Sequence, residues 1–172
     1  MVVISAMSAD RIIGSGDGMP WDVPEEYAQF LRFIEGQTVI IGRRSYGIFG
    51  KGLTSAHTVV VSRSAGKLPG AVVVTSVEDA LRIAESFDRT IFSAGGASIY
   101  EQTVPLADTM YLSYIKGHFT GDAYFPAFNE REWIVERREN HPRFEFVVYR
   151  RRLLQNRASP VVGGLPRAFL PD

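Results

Sequence analysis

Short runs of apolar, mostly β-branched residues alternate along the chain with segments of helical periodicity. The runs are Val2–Met7, Thr38–Ile41, Thr58–Ser62, Ala71–Val74, Thr90–Phe92, Thr109–Ile115, Trp133–Arg137 and Phe144–Arg152. Helical patterns fall at Pro24–Glu35, Arg43–Phe49, Val77–Ser86 and Ser98–Val104. Strand–helix alternation implies parallel pairing, with helices covering both faces of the sheet. The last two runs have no helix between them and predict an antiparallel edge that turns at "ENHPR". The expected architecture is therefore α/β: one domain with a central, mostly parallel twisted sheet, an antiparallel C-terminal edge and helices on both faces.

A length of 172 residues suits one core. We expect the domain to span residues 1–154, with the Pro- and Gly-rich "QNRASPVVGGLPRAFLPD" forming an extension over 155–172. The 19 basic and 19 acidic residues balance, which argues against a nucleic-acid or anionic-membrane binder. The absence of cysteine excludes a disulfide framework and a thiolate nucleophile. His57, His118 and His141 lie far apart without metal-ligand spacing, so no metal site is expected. The N-terminus lacks a basic leader and reads as a buried strand, and no apolar run approaches the roughly 20 residues that span a bilayer. A cytoplasmic protein, monomeric or weakly dimeric, is expected.

The stretch "GMPWDVPEEYAQF" places a Met-Pro-Trp loop before a helix that opens with two glutamates. Asp22 and Glu25 have capping-box spacing, and Pro24 suits a first helical turn. Glu25 stacks above Gln29 and Arg32, a polar row that predicts a solvated carboxylate. Glu26 stacks above Phe30 and Phe33, with Tyr27, Leu31 and Ile34 extending the apolar side. An inward carboxylate needs a partner. Two readings remain open from the helix alone: an anion satisfied by the helix's own N–H groups, or an acid awaiting a ligand with paired N–H donors.

Three strand-to-turn junctions carry residues suited to phosphate. "SAGGAS" lies between a strand and a helix, where Gly95 and Gly96 permit close backbone approach and a helix N-terminus favours an anion. "GRRS" and "VSR" follow two other strands and contribute Arg43, Arg44 and Arg63. Open α/β sheets bind nucleotides at the carboxyl ends of strands. Guanidiniums there suit a 2′-phosphate and favour NADP(H) over NAD(H).

The segments "ISAMSADRIIG", "MPWDVPEE", "VIIGRRSY", "VVVSRS", "SAGGASIYEQTVPLADTMYLSYI" and "GDAYFP", in this order, resemble the dihydrofolate reductase family from Val2 to Arg152. The resemblance implies hydride transfer from NADPH to C6 of a 7,8-dihydropterin, with protonation at N5. It makes Glu26, Trp21 and Met19 the catalytic residues. Glu26 would bind the pterin's N3 and 2-amino group. Met19, Pro20 and Trp21 would belong to a mobile loop made flexible by Gly14, Gly16 and Gly18. Ile4, Ala6, Tyr27, Phe30, Phe49 and Leu53 would line the pterin cleft, with Ser113 near the same edge. The implied cofactor residues are Ala6, Ile13, Gly14, Gly18, Gly42, Arg43, Arg44, Ser45, Ser62, Arg63, Ser64, Ala94, Gly95, Gly96, Ala97, Ser98, Ile99 and Tyr100.

One departure bears on the substrate. The family carries an arginine before the "VVVSR" strand that clamps the carboxylate of folate's glutamate tail, and here Ala56 occupies that position. The departure favours dihydromethanopterin, whose tail would meet hydroxyls of Thr54, Ser55 and Thr58 and the imidazole of His57, with dihydrofolate as the alternative. A pyrimidine reductase of flavin synthesis and a non-catalytic binding protein fit less well, because Glu26, Trp21, Gly95 and Gly96 are all present.

Overall fold

A computed structural model describes residues 1–64 and 66–153. The expected boundary at 154 and the 155–172 extension lie outside the described residues. Ten strands form in chain order: β1 (Val2–Ser8), β2 (Ile12–Gly14), β3 (Thr38–Gly42), β4 (His57–Val61), β5 (Val72–Val74), β6 (Ile91–Ser93), β7 (Thr109–Ile115), β8 (Ala123–Tyr124), β9 (Trp133–Asn140) and β10 (Phe144–Arg151). Four α-helices join them: α1 (Pro24–Ile34), α2 (Arg43–Phe49), α3 (Val77–Glu85) and α4 (Ala97–Thr103). The main sheet runs β5-β4-β3-β6-β1-β7-β10-β9. All pairs from β5 to β7 are parallel, and β10 and β9 close the edge antiparallel.

The central strands are apolar throughout because each of their faces is buried. On β3, Val39 and Ile41 pack with Ile34, Phe30 and Leu31 of α1. The intervening Ile40 packs on the opposite face with Val77, Ala80 and Ala84 of α3 and Ile99 of α4. β4 repeats the pattern, with Val60 toward α1 and Val59 toward α3. Each such fully buried side chain contributes about 1.5–3 kcal/mol of hydrophobic stabilisation. The outer strand β9 is instead exposed from Ile134 to Arg138. Its charges pair across to β10 as Arg138–Glu145 and Glu136–Arg150. A charged outer strand discourages edge-to-edge association.

Two local expectations are corrected. The Asp22–Glu25 capping box does not form: the N-cap of α1 is Val23, with no side-chain cap. Arg143, in the turn between β9 and β10, engages Glu25 instead. Its Nε and Nη2 donate to Glu25 Oε1 and Oε2 at 2.6 and 2.5 Å, and its Nη1 to Asp22 O at 3.2 Å. Glu25 is thus exposed but ion-paired. Gln29, expected on the solvated row with Glu25, is buried. The small β2–β8 sheet has no counterpart in the sequence reading, since strands of three and two residues carry too little periodicity to read.

Candidate active site

Helix α1 turns Glu26 inward, leaving it 7% exposed. Burial raises its pKa from 4.5 to about 7, and hydrogen bonding to Ser113 of β7 opposes that rise. Among the described residues no cation contributes to the shift. The direction of this shift favours the reading in which the acid awaits a ligand. A carboxylate satisfied by helix N–H groups would titrate low, whereas Glu26 is held in a poorly solvated place with only a hydroxyl for company. A buried acid so perturbed in a cleft is a candidate for chemistry.

The cleft beside Glu26 is walled by Ile4, Ala6, Met19, Tyr27, Phe30, Phe49, Ala94 and Tyr100, joined by Ser5, Ile13, Ile41, Ser45 and Gly96. The rings of Tyr27 and Phe30 stack at 5.9 Å, and Phe49 lies 6.4 Å from Tyr27. Such a lining suits a flat, apolar-faced heterocycle. The Tyr100 hydroxyl donates to Ile4 O at 2.7 Å, fixing that ring. Leu53, expected in the cleft wall, is not in its lining and packs in the cluster of Ile4 and Ile41. Trp21 is not among the cleft-lining residues; it meets Phe119 edge-on at 5.3 Å and packs in the same cluster as Ala6.

A second cavity, of about 960 Å³, opens along the carboxyl ends of β3, β4 and β5 and the start of α4. Of the expected cofactor residues, Ile13, Gly14, Gly18, Gly42, Arg43, Arg44, Ser45, Ser62, Arg63, Ser64, Gly96, Ala97, Ser98 and Ile99 line it. Ala6, Ala94 and Tyr100 face the first cleft instead. Gly95 lines neither, but its carbonyl accepts from Gly42 N at 2.7 Å and ties the β6 turn to the β3 turn. Ile13, Met19, Ser45, Phe49 and Gly96 belong to both linings, so the two spaces adjoin. The large cavity carries three arginines against one acid, Asp122. The Gly42 and Gly96 N-caps of α2 and α4 lack side-chain caps, leaving helix N–H groups for an anion.

Several lining residues escape the sequence reading. Thr75, Ser76 and Val77 follow β5, and their signal is another strand-to-helix turn with Ser76 as N-cap. Asp122 and Ala123 lie within "GDAYFP", a segment that carried the resemblance without a role for either residue. Gln102 gives no signal. On the tail side of the cleft, the hydroxyls expected to meet the tail already hold internal partners. Thr54 Oγ1 donates to Leu31 O at 2.6 Å, Ser55 and Thr58 pair at 3.0 Å, and His57 stacks on Phe87 at 3.9 Å. Among the described residues no cluster of His, Cys, Asp or Glu could hold a metal. No helix among them is long and apolar enough to cross a membrane.

A perturbed acid in an aromatic cleft, adjoining a basic cavity at the strand ends of a mostly parallel sheet, is the arrangement of a nucleotide-binding α/β protein with a second, acid-bearing ligand cleft. The family model described as dihydrofolate reductase matches residues 1–154. A dihydrofolate reductase type A13 of Escherichia coli is 37% identical over 134 residues, covering 77% of this chain and 81% of that one. The dihydrofolate reductase of Bacillus subtilis is 32% identical over 157 residues, covering 87% and 93%. A solved Enterococcus faecalis dihydrofolate reductase, complexed with NADP(H) and RAB-propyl, shares the fold with a TM-score of 0.80 at 23% identity, over 87% of this chain and 95% of that one. The chain belongs to the dihydrofolate reductase family.

Proposed function

We propose that the chain reduces 7,8-dihydrofolate to the tetrahydro form with NADPH, hydride reaching C6 of the pterin while N5 gains a proton. The observation that carries this reading is Glu26: a buried acid without a cation, aimed into an aromatic cleft that adjoins a basic cavity. Its two oxygens match the N3–H and 2-amino donors of a pterin edge, and their pairing would favour the ionised acid.

The bound dinucleotide supplies the hydride. The chain's residues fit such a group. Arg43 and Arg63 have no carboxylate partner among the described residues and stand beside Ser62 and Ser64 for a 2′-phosphate. The uncapped starts of α2 and α4 suit the pyrophosphate. Gly96 allows close approach, since a Cβ there would lie 3.2 Å from Ser45 Oγ. Glu26 holds and orients the pterin and biases it toward a protonated N5. Met19, on both linings, excludes water where the two spaces meet. Arg63→Ala is expected to weaken NADPH at least tenfold while changing NADH less than about twofold, read by equilibrium binding of each dinucleotide.

The preference for dihydromethanopterin rests on Ala56, with the hydroxyls of Thr54, Ser55 and Thr58 as the groups its tail could meet; Thr54 already donates to Leu31 O and Ser55 and Thr58 bond each other, which weakens that support. Relatives named dihydrofolate reductase at 32–37% identity support folate. Ala56 alone keeps the methanopterin reading as a second one, because it is exposed and supplies no guanidinium. Lys51, exposed on the turn Gly50–Gly52, offers a point charge in its place. Loss of NADPH absorbance with dihydrofolate, dihydromethanopterin or a ribosylamino-pyrimidine as acceptor tests the assignment. The highest kcat/KM is expected with dihydrofolate, and removal of its glutamate tail should change KM less than about fivefold, because an exposed single cation contributes about 0–1 kcal/mol. A higher kcat/KM with dihydromethanopterin would establish the second reading, and oxidation with none of the three would leave a binding protein.

A further inference from the structure

Tyr27 and Tyr100 both line the cleft beside Glu26, but they use their hydroxyls differently. Tyr100 donates its own to Ile4 O at 2.7 Å. The Tyr27 hydroxyl makes no hydrogen bond among the described residues. Burial raises its pKa with no hydrogen bond or charge contributing, so at neutral pH it stays a protonated donor. The ring is held all the same, stacked on Phe30 at 5.9 Å and 6.4 Å from Phe49. Its hydroxyl meets the turn Gly50–Gly52, where a Cβ on Gly52 would lie 3.0 Å from it. That turn leads into the tail side of the cleft. There Thr54 donates to Leu31 O, and Ser55 and Thr58 bond each other. Ala56 offers a methyl group. Of the hydroxyls of Tyr27, Thr54, Ser55 and Thr58, the one on Tyr27 is uncommitted.

We propose that the Tyr27 hydroxyl sets specificity beyond the pterin ring, by donating to a carbonyl borne on the aryl group that follows the pterin. The proposal rests on the pterin-reduction reading above. A pterin held at Glu26 by its N3–H and 2-amino group carries its 6-substituent at the far end of the bicycle. Tyr27 follows Glu26 on α1, and its hydroxyl sits against the turn that opens the tail side. In folate the 6-substituent is an aminobenzoyl amide, whose carbonyl accepts a hydrogen bond. In methanopterin the aryl ring bears a sugar-like chain instead. A neutral phenol suits a neutral carbonyl, whereas a carboxylate calls for a cation. A donor at this place selects the aroyl class without requiring the glutamate beyond it, which fits a chain with Ala56 where the family has a guanidinium. The carbonyl lies away from C6 and N5, so the bond serves substrate and transition state alike and its loss falls on KM.

Tyr27→Phe keeps the stacked ring and removes the donor. Its kcat/KM is compared with that of the unaltered protein for 7,8-dihydrofolate, for the amide of 7,8-dihydropteroic acid and for 6-methyl-7,8-dihydropterin. The amide keeps the aroyl carbonyl without the glutamate, and the methyl pterin has neither. In Tyr27→Phe the ratio of each aroyl substrate to the methyl pterin should fall about two- to tenfold through a higher KM, the effect of one hydrogen bond. Gly52→Ala crowds the same hydroxyl from the turn and should lower the same ratios, but add no further fall to Tyr27→Phe. Unchanged ratios in Tyr27→Phe would leave Tyr27 as a stacking wall and overturn the proposal. A fall confined to dihydrofolate would assign the hydroxyl to the glutamate and overturn it too. Equilibrium binding of folate and 6-methylpterin in the presence of NADP⁺ reads the same preference without turnover. If the unaltered protein binds both but reduces neither dihydro form, the functional reading fails, while a binding ratio that depends on Tyr27 upholds the role of the hydroxyl and one that does not overturns it.

Discussion

Glu26→Gln is expected to lower kcat with dihydrofolate roughly 100- to 1000-fold at neutral pH with the fold intact, the loss typical of removing one preorganised electrostatic group from a reaction site. The amide keeps the shape of the acid but loses the charge that pairs with two N–H donors and steadies a protonated ring. The same change should make the protein more stable in alkali. Folding raises the Glu26 pKa from 4.5 to about 7. Between those values the folded state keeps a proton that the unfolded chain has released, so stability falls as pH rises through that window. The full cost, up to about 3 kcal/mol, is present above pH 7 and absent below pH 4.5. Glutamine carries no such cost. Thermal melts of both proteins should therefore show the variant gaining on the original between pH 5 and pH 8. A variant that turns over normally, or that shows no pH-dependent gain, contradicts the role assigned to this acid.

Gly95→Ala should be the most damaging small substitution at the site. Gly95 has a φ of +89°, and a Cβ there would sit 2.7 Å from Tyr100 Cε2. The strained backbone and the collision together cost about 2–4 kcal/mol. The damage is functional as well, because the Gly95 carbonyl holds Gly42 N and the Tyr100 hydroxyl holds Ile4 O. A displaced ring disturbs the cleft, and a displaced carbonyl disturbs the start of α2. NADPH affinity should fall at least tenfold alongside the melting temperature. Gly47→Ala is the control. Gly47 lies inside α2, and an added methyl group there would meet no atom within 4 Å, so alanine should stabilise by about 0.5–1 kcal/mol. Equal melting temperatures for the two variants would refute the crowding at Gly95.

What the sequence made legible follows how local each signal is. The helix Arg43–Phe49 and the strand Thr109–Ile115 match their sequence patterns to the residue, since apolar period and turn residues lie within a few positions. Glu26 was legible for the same reason: the row it shares with Phe30 and Phe33 follows from helix geometry alone. The strand-end turns at Gly42, Ser62 and Gly96 were legible because parallel pairing puts all strand ends on one edge. The misses are long-range. Arg143 meets Glu25 across 118 positions, and nothing near Asp22 announces that the local capping box will lose to it. Asp122 reaches Gly16 across 106 positions. The hydroxyls of Thr54, Ser55 and Thr58 looked free because a sequence shows which groups can donate but not which backbone carbonyl waits beside them.

The most direct measurement is the titration of the Glu26 side-chain carboxyl by carbon NMR, with and without dihydrofolate in the presence of NADP⁺. Free protein should titrate near pH 7. On binding, two N–H donors should pull the midpoint down by at least about one unit. An unchanged midpoint in protein that binds the pterin would place the ring elsewhere and contradict the account.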